Sequence, residues 1–162
     1  MAELTVLEEK LGEVLGLAMA AKAATEKVGS LTEEPDLRSQ LERMHEEAEQ
    51  TEERCTDVAG EIDGKKTAIL DKAREVKQEA TEMREAYLGG EDDPLDGFEF
   101  LTMAEAGEVG HWAIVAKLNE RAGIDEVREV SDWALPIQQR HLQEVLDGSL
   151  KLAAEEDPDE EA

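Results

Sequence analysis

Apolar residues recur at Leu4, Leu7, Leu11, Val14, Ala18, Ala21 and Val28, the three-and-four spacing that lines one face of a helix, and Gly29 and Ser30 follow as a stop. The spacing predicts a first helix over Leu4 to Val28. A second is expected after Thr32, with Pro35 in its first turn, carried by Leu37, Leu41, Met44, Ala48, Cys55 and Val58 to a break between Gly60 and Gly64. Its other faces are crowded with glutamate. Lys65 to Tyr87 keeps a weaker pattern through Ile69, Ala73, Val76, Ala80 and Met83 and is expected to be a connecting helix. Leu88 to Gly97, "LGGEDDPLDG", has the composition of a loop. A further helix then runs to about Gly123, and a last one fills Ile124 to Ala154, where Pro136 is expected to kink or break it.

The stretch "LTMAEAGEVGHWAIVAKL", Leu101 to Leu118, departs from a plain apolar face. Leu101, Ala104, Glu108, His111, Val115 and Leu118 share one side of the helix, with Glu105 and Trp112 beside them. A carboxylate in an apolar interior must find a cation, find hydrogen-bond donors or take up a proton. These positions are therefore candidates for chemistry.

The chain is 162 residues long, a length suited to one domain with one sizeable core. Domain organisation is expected as a helical bundle over 1–154 and an acidic, disordered tail over 155–162, "EEDPDEEA". Few aromatics and many alanines, leucines and glutamates fit an all-α fold. Against 17 Lys and Arg stand 42 Asp and Glu, for a formal net charge of −25. Such a field repels nucleic acid and anionic membranes and favours cationic partners or metal ions, although an acidic surface also serves solubility with no ligand at all. Val14 to Ala24 is too short, and too interrupted by Lys22, to span a bilayer. The single cysteine, Cys55, and the lack of a basic-then-apolar opening segment give a cytoplasmic expectation.

Four main helices with one long helical connection describe a ferritin-like four-helix bundle with a crossover. With a last turn near residue 124, Glu108 stands level with residue 140 and Glu105 with residue 143, making His141 and Glu144 their neighbours. With a first turn near residue 31, Glu13 is level with residue 49, inside a segment where Glu42, His45, Glu46 and Glu49 share a face. Carboxylates from two helices and Glu-x-x-His from two others build a di-metal site, since positions three apart point the same way. Here "ERMH" spans Glu42 to His45 and "EVGH" spans Glu108 to His111. His45, among surface glutamates, also reads as a solvated side chain. Glu9, Glu42, Glu75 and Glu108 recur at a constant spacing and form a rival register in which the connecting helix joins the bundle.

The segment order resembles the YciE/YciF group of ferritin-like stress proteins over nearly the whole bundle. "PDLRSQL" with "EEAEQTEER" (Pro35 to Arg54) is similar to that family's second helix, "GKKTAILDKAREV" (Gly64 to Val76) to its connecting segment, and "AGIDEV" to its last turn. The resemblance implies metal ligands at Glu105 and Glu108, with Glu13 and Glu46 as the matches on the first two helices. Glu49 stands where a histidine is expected after Glu46, and Gln138 precedes His141 where the pattern favours glutamate; an amide is the poorer ligand.

The combined expectation is a di-metal carboxylate protein holding iron or manganese through Glu13, Glu42, His45, Glu46, Glu105, Glu108, His111 and His141. It would oxidise or handle iron in a stress response, with ferroxidase-like chemistry if it is an enzyme, and would form a homodimer through a helix face. The alternative is a metal-free helical-bundle stress or interaction protein. No phosphate-binding glycine loop, paired-cysteine zinc spacing or Ser, His, Asp arrangement points to another enzyme.

Overall fold

The computed structural model describes residues 2–90 and 93–161. Residues 91 and 92 of the expected loop and residue 162 of the expected tail lie outside the described residues. Among the described residues the chain is all-helical: α1 (Val6–Leu31), α2 (Pro35–Glu61), α3 (Lys66–Leu88), α4 (Pro94–Ala122) and α5 (Asp125–Ala153). None of these helices is long and apolar enough to cross a membrane.

The helix ends follow local chemistry. Thr5 caps α1 by accepting from the Glu8 backbone N–H at 3.2 Å, while the Glu8 side chain accepts from the Thr5 N–H at 2.7 Å, satisfying two otherwise free donors. Pro35 and Pro94 sit in the first turns of α2 and α4, where a missing N–H costs nothing. Thus α4 starts inside the stretch expected to be loop, with Asp93 as its N-cap. Gly123 closes α4 in the left-handed conformation at φ 68°. The Asn119 side chain then bonds Ile124 in both directions, at 2.8 and 3.1 Å, and fixes the angle at which α5 leaves.

α5 runs unbroken through Pro136, contrary to a break there. The proline lies on the exposed face, so the carbonyl it leaves without a partner, that of exposed Asp132, can be met by water. After α5, residues 155–161 are exposed turns.

The most extensive packing joins α4 to α5, α1 to α2 and α1 to α3; α1 also meets α4, and α2 meets α5. Two apolar clusters result. One gathers Leu11, Leu15, Cys55, Ile69, Trp112, Val115 and Val130. The other gathers Val28, Leu41, Met44, Phe98, Leu101 and Val145. Ile137 of α5 is only partly buried. Along α4, Glu105 and Glu108 fall between the residues of the two clusters, as do Gln138 and His141 along α5 and Thr51 along α2, all of them buried. A polar layer therefore divides the apolar interior.

Candidate functional site

The polar layer is built by turns of helix that carry ionisable groups on their inward stripe. Glu105 and Glu108, one turn apart on α4, are 2% and 3% exposed, and Gln138 and His141, one turn apart on α5, are each 1% exposed. The α4–α5 hairpin brings them level. His141 Nδ1 lies 3.6 Å from Glu105 Oε2, and His141 Nε2 lies 3.7 Å from Glu47 Oε1 on α2. Imidazole thus stands between carboxylates from two helices.

Several of these atoms have no hydrogen-bond partner among the described residues: Glu47 Oε1, Glu105 Oε2, Glu108 Oε2, Gln138 Oε1, His141 Nε2 and Glu144 Oε2. Buried polar atoms are normally paired, and orphaned ones cost on the order of 1–3 kcal/mol each, so these atoms favour a bound ion or ordered water in the layer. Glu108 responds to its surroundings directly. Burial, and secondarily the neighbouring Glu105 carboxylate, hold its pKa well above the usual 4.5.

A second contact lies on the α1–α4 side. His111 Nδ1 donates to the Gly107 carbonyl at 2.8 Å, which places the lone pair of a neutral ring on Nε2. That nitrogen faces Glu13 Oε2 at 3.5 Å, so two electron-rich atoms are opposed unless a proton or another cation joins them. Backbone-anchored imidazole with a free Nε2 is the arrangement that suits a metal ligand. The His111 side chain is 39% exposed, placing it at the edge of the layer.

On the α2–α5 side the layer is closed by an ionic group. Arg140 donates to Glu47, Arg43 donates to Glu144, and the remaining approaches are 3.6 Å from Arg43 to Glu47 and 3.7 Å from Arg140 to Glu144. Hydrogen bonds to Glu47 raise the Arg140 pKa still further.

The structure thus brings together Glu105, Glu108 and His141, with His111 and Glu13 adjoining. Glu42, His45 and Glu46 stand elsewhere, lining a separate groove between α1 and α2; Glu42 and Glu46 are exposed, and His45 Nδ1 donates to the Lys22 carbonyl at 3.0 Å. The carboxylate that α2 offers to His141 is Glu47, one residue beyond Glu46. In the rival register Glu108 is buried, whereas Glu9 and Glu75 are 47% and 58% exposed and pair with Lys72 on the outside. Cys55 is inert by burial, its thiol pKa pushed far up.

As placed, no group of three or more His, Cys, Asp or Glu side chains among the described residues converges to hold an ion. The donors nevertheless fit a metal in kind: carboxylate and imidazole suit iron, manganese and zinc, and the unpaired atoms are the ones a cation would engage. Comparison with protein-family models, curated proteins and solved structures returns no match.

Proposed function

We propose that this chain is a ferritin-like di-metal carboxylate protein, with α1, α2, α4 and α5 as the four-helix bundle, α3 as its crossover, and iron or manganese held in the polar layer. The observation that carries the reading is the set of unpartnered atoms on Glu105, Glu108, Gln138 and His141, buried at one level between two apolar clusters. Several carboxylates share a dry interior at acceptable cost when a divalent cation sits among them. Glu105, Glu108 and His141 are the inner ligands, Gln138 a weak one, and Glu13 with His111 serves the α1 side. Glu47, already engaged by Arg140, orients His141 from behind.

A bound iron would supply one-electron redox chemistry toward oxygen or peroxide. The protein's own part is to exclude water from the layer, to hold the imidazole of His141 between Glu105 and Glu47, and to keep a carboxyl at Glu108 that exchanges its proton for a cation. The expected role is iron handling in a stress response.

The metal-free alternative, a helical stress or interaction protein, is favoured by one observation: Glu105 and Glu47 each already lie within ion-pair range of His141. Elemental analysis of protein purified without chelator separates the two. Iron or manganese in the wild type and its loss in Glu108→Ala are expected, together with faster oxidation of added ferrous iron by the wild type. Absence of iron, manganese and zinc from both proteins, with no acceleration of oxidation, overturns the metal reading.

A further inference from the structure

A cleft of about 420 Å³ runs between α1, α3 and α4, a volume typical of small-molecule sites. Its long walls are apolar, formed by Leu17, Ala21 and Ala24 of α1, Val76 and Ala80 of α3 and Phe100 of α4. Alanines on facing helices leave open the space that longer side chains would fill. Met83 and Met103 border the same cleft and are 57% and 44% exposed, which gives it adaptable, polarisable edges.

The charges along the cleft are unevenly placed. Glu13, Glu79, Glu105 and Glu108 contribute carboxylates, and Lys10, Lys72 and Arg84 contribute cations. Lys10 is held on both oxygens of Glu13 at 2.9 Å, and Lys72 lies 3.1 Å from Glu75 and 3.8 Å from Glu9. Neither reaches the buried pair. Glu108, 3% exposed, borders the cleft with its Oε2 unpartnered, and Glu105, 2% exposed, lies one turn away. A ligand entering along the alanine walls therefore meets two buried carboxyl groups, each with an oxygen that no donor on the protein engages. A donor head would satisfy an acceptor that the protein leaves empty, whereas a carboxylate head, an acceptor only, would not.

We propose that this cleft binds an aliphatic amphiphile whose head donates hydrogen bonds, a primary ammonium or a hydroxyl, with its chain along the alanine-lined walls and its head at Glu105 and Glu108. The proposal goes beyond the metal reading and does not depend on it, because the carboxylates alone supply the recognition.

Isothermal titration of the full chain, after dialysis against chelator, tests it with octylammonium, 1-octanol and octanoate. The first two are expected to bind, and octanoate about tenfold or more weakly. Ala80→Trp fills the cleft away from the carboxylates and is expected to weaken both ligands by roughly tenfold with helical circular dichroism retained; Ala80→Leu, a smaller plug, weakens them in the same direction. Glu108→Leu, which removes the acceptor, should weaken both donor-headed ligands, which would identify the head group's partner. Binding of octanoate as tight as that of the other two, no binding of either donor-headed ligand, or affinities unchanged in both Ala80 variants overturns the proposal. Because metal is removed beforehand, these outcomes are independent of the elemental analysis.

Discussion

Glu108 has two ways to remain buried: it holds a proton, or it faces a cation. Without metal the first applies, and it has a measurable consequence. Its folded-state pKa lies above the usual 4.5, so between that value and the folded pKa the native protein binds a proton that the unfolded chain releases. Stability is therefore greatest at the acid end of this interval and falls as pH rises through it. Compared at about pH 5 and pH 8, chelator-treated protein is expected to be less stable at the higher pH, and Glu108→Gln to remove Glu108's share of that difference. Denaturant titrations at both pH values check this; equal slopes for wild type and variant would sink it. Added manganese should stabilise the wild type and leave Glu108→Gln unmoved, since a ligand stabilises only the state that binds it. Glu105, Glu108 and His141 were legible in the sequence because each lies on the apolar stripe of a strongly periodic helix. Glu47 was not. It sits in the acidic run from Glu42 to Glu53, where helical period alone does not separate one glutamate from its neighbours, and its position is set by Arg140 and His141, more than ninety residues away.

At the scale of elements, the closeness of α1 and α3 rests on residues too small to register in a hydrophobic pattern. A Cβ on Gly16 would overlap the Ala73 carbonyl oxygen and come within 2.8 Å of Val76 Cβ, whereas one on Gly29 meets nothing within 4 Å. Gly16→Ala is expected to cost ~1–3 kcal/mol by overpacking, more than the ~1 kcal/mol that alanine gains over glycine in a helix. Gly29→Ala carries only the gain and should stabilise slightly. Urea midpoints for the two variants moving in the same direction would refute the close approach. Helix identities and the positions of the turns were readable from periodicity, glycine and proline; the early start of α4 was missed because Gly, Asp and Pro between Leu88 and Gly97 signal a loop and a helix N-terminus alike. Pro136 signals a break that α5 does not show, for a related reason. Local chemistry argues against a helix there, but the packing of α5 on α4 and α2 outweighs one lost hydrogen bond. Pro136→Ala should consequently stabilise the protein by up to ~3 kcal/mol, and a destabilised variant by the same urea measurement would mean that the proline shapes α5 in a way that packing needs.

At the scale of the whole molecule, charge works against the fold. With 42 acidic and 17 basic residues, pairing every cation to one carboxylate would still leave 25 carboxylates without a partner, the excess given by the net charge. Folding brings these charges closer together than they are in the unfolded chain, and the resulting self-repulsion destabilises the compact state. The surface pairs offset little of it. Lys117 with Glu120 and Arg128 with Asp125 are neighbours within one helix and well exposed, a class of ion pair worth a few tenths of a kcal/mol. Screening should relieve the repulsion more than it weakens the pairs, because the pairs are few and the like charges many. The melting temperature is therefore expected to rise as sodium chloride increases from about 0.02 to about 0.5 M, where the Debye length falls from roughly 20 to roughly 4 Å. Scanning calorimetry across that range decides the matter: a melting temperature that falls with salt would mean that specific ion pairs, such as the Arg43, Arg140, Glu47 and Glu144 group between α2 and α5, outweigh the global field. The same scans separate general screening from the polar layer. Magnesium at matched ionic strength should reproduce the effect of sodium chloride, while manganese or ferrous iron at concentrations too low to screen should add a further rise that disappears in Glu108→Gln.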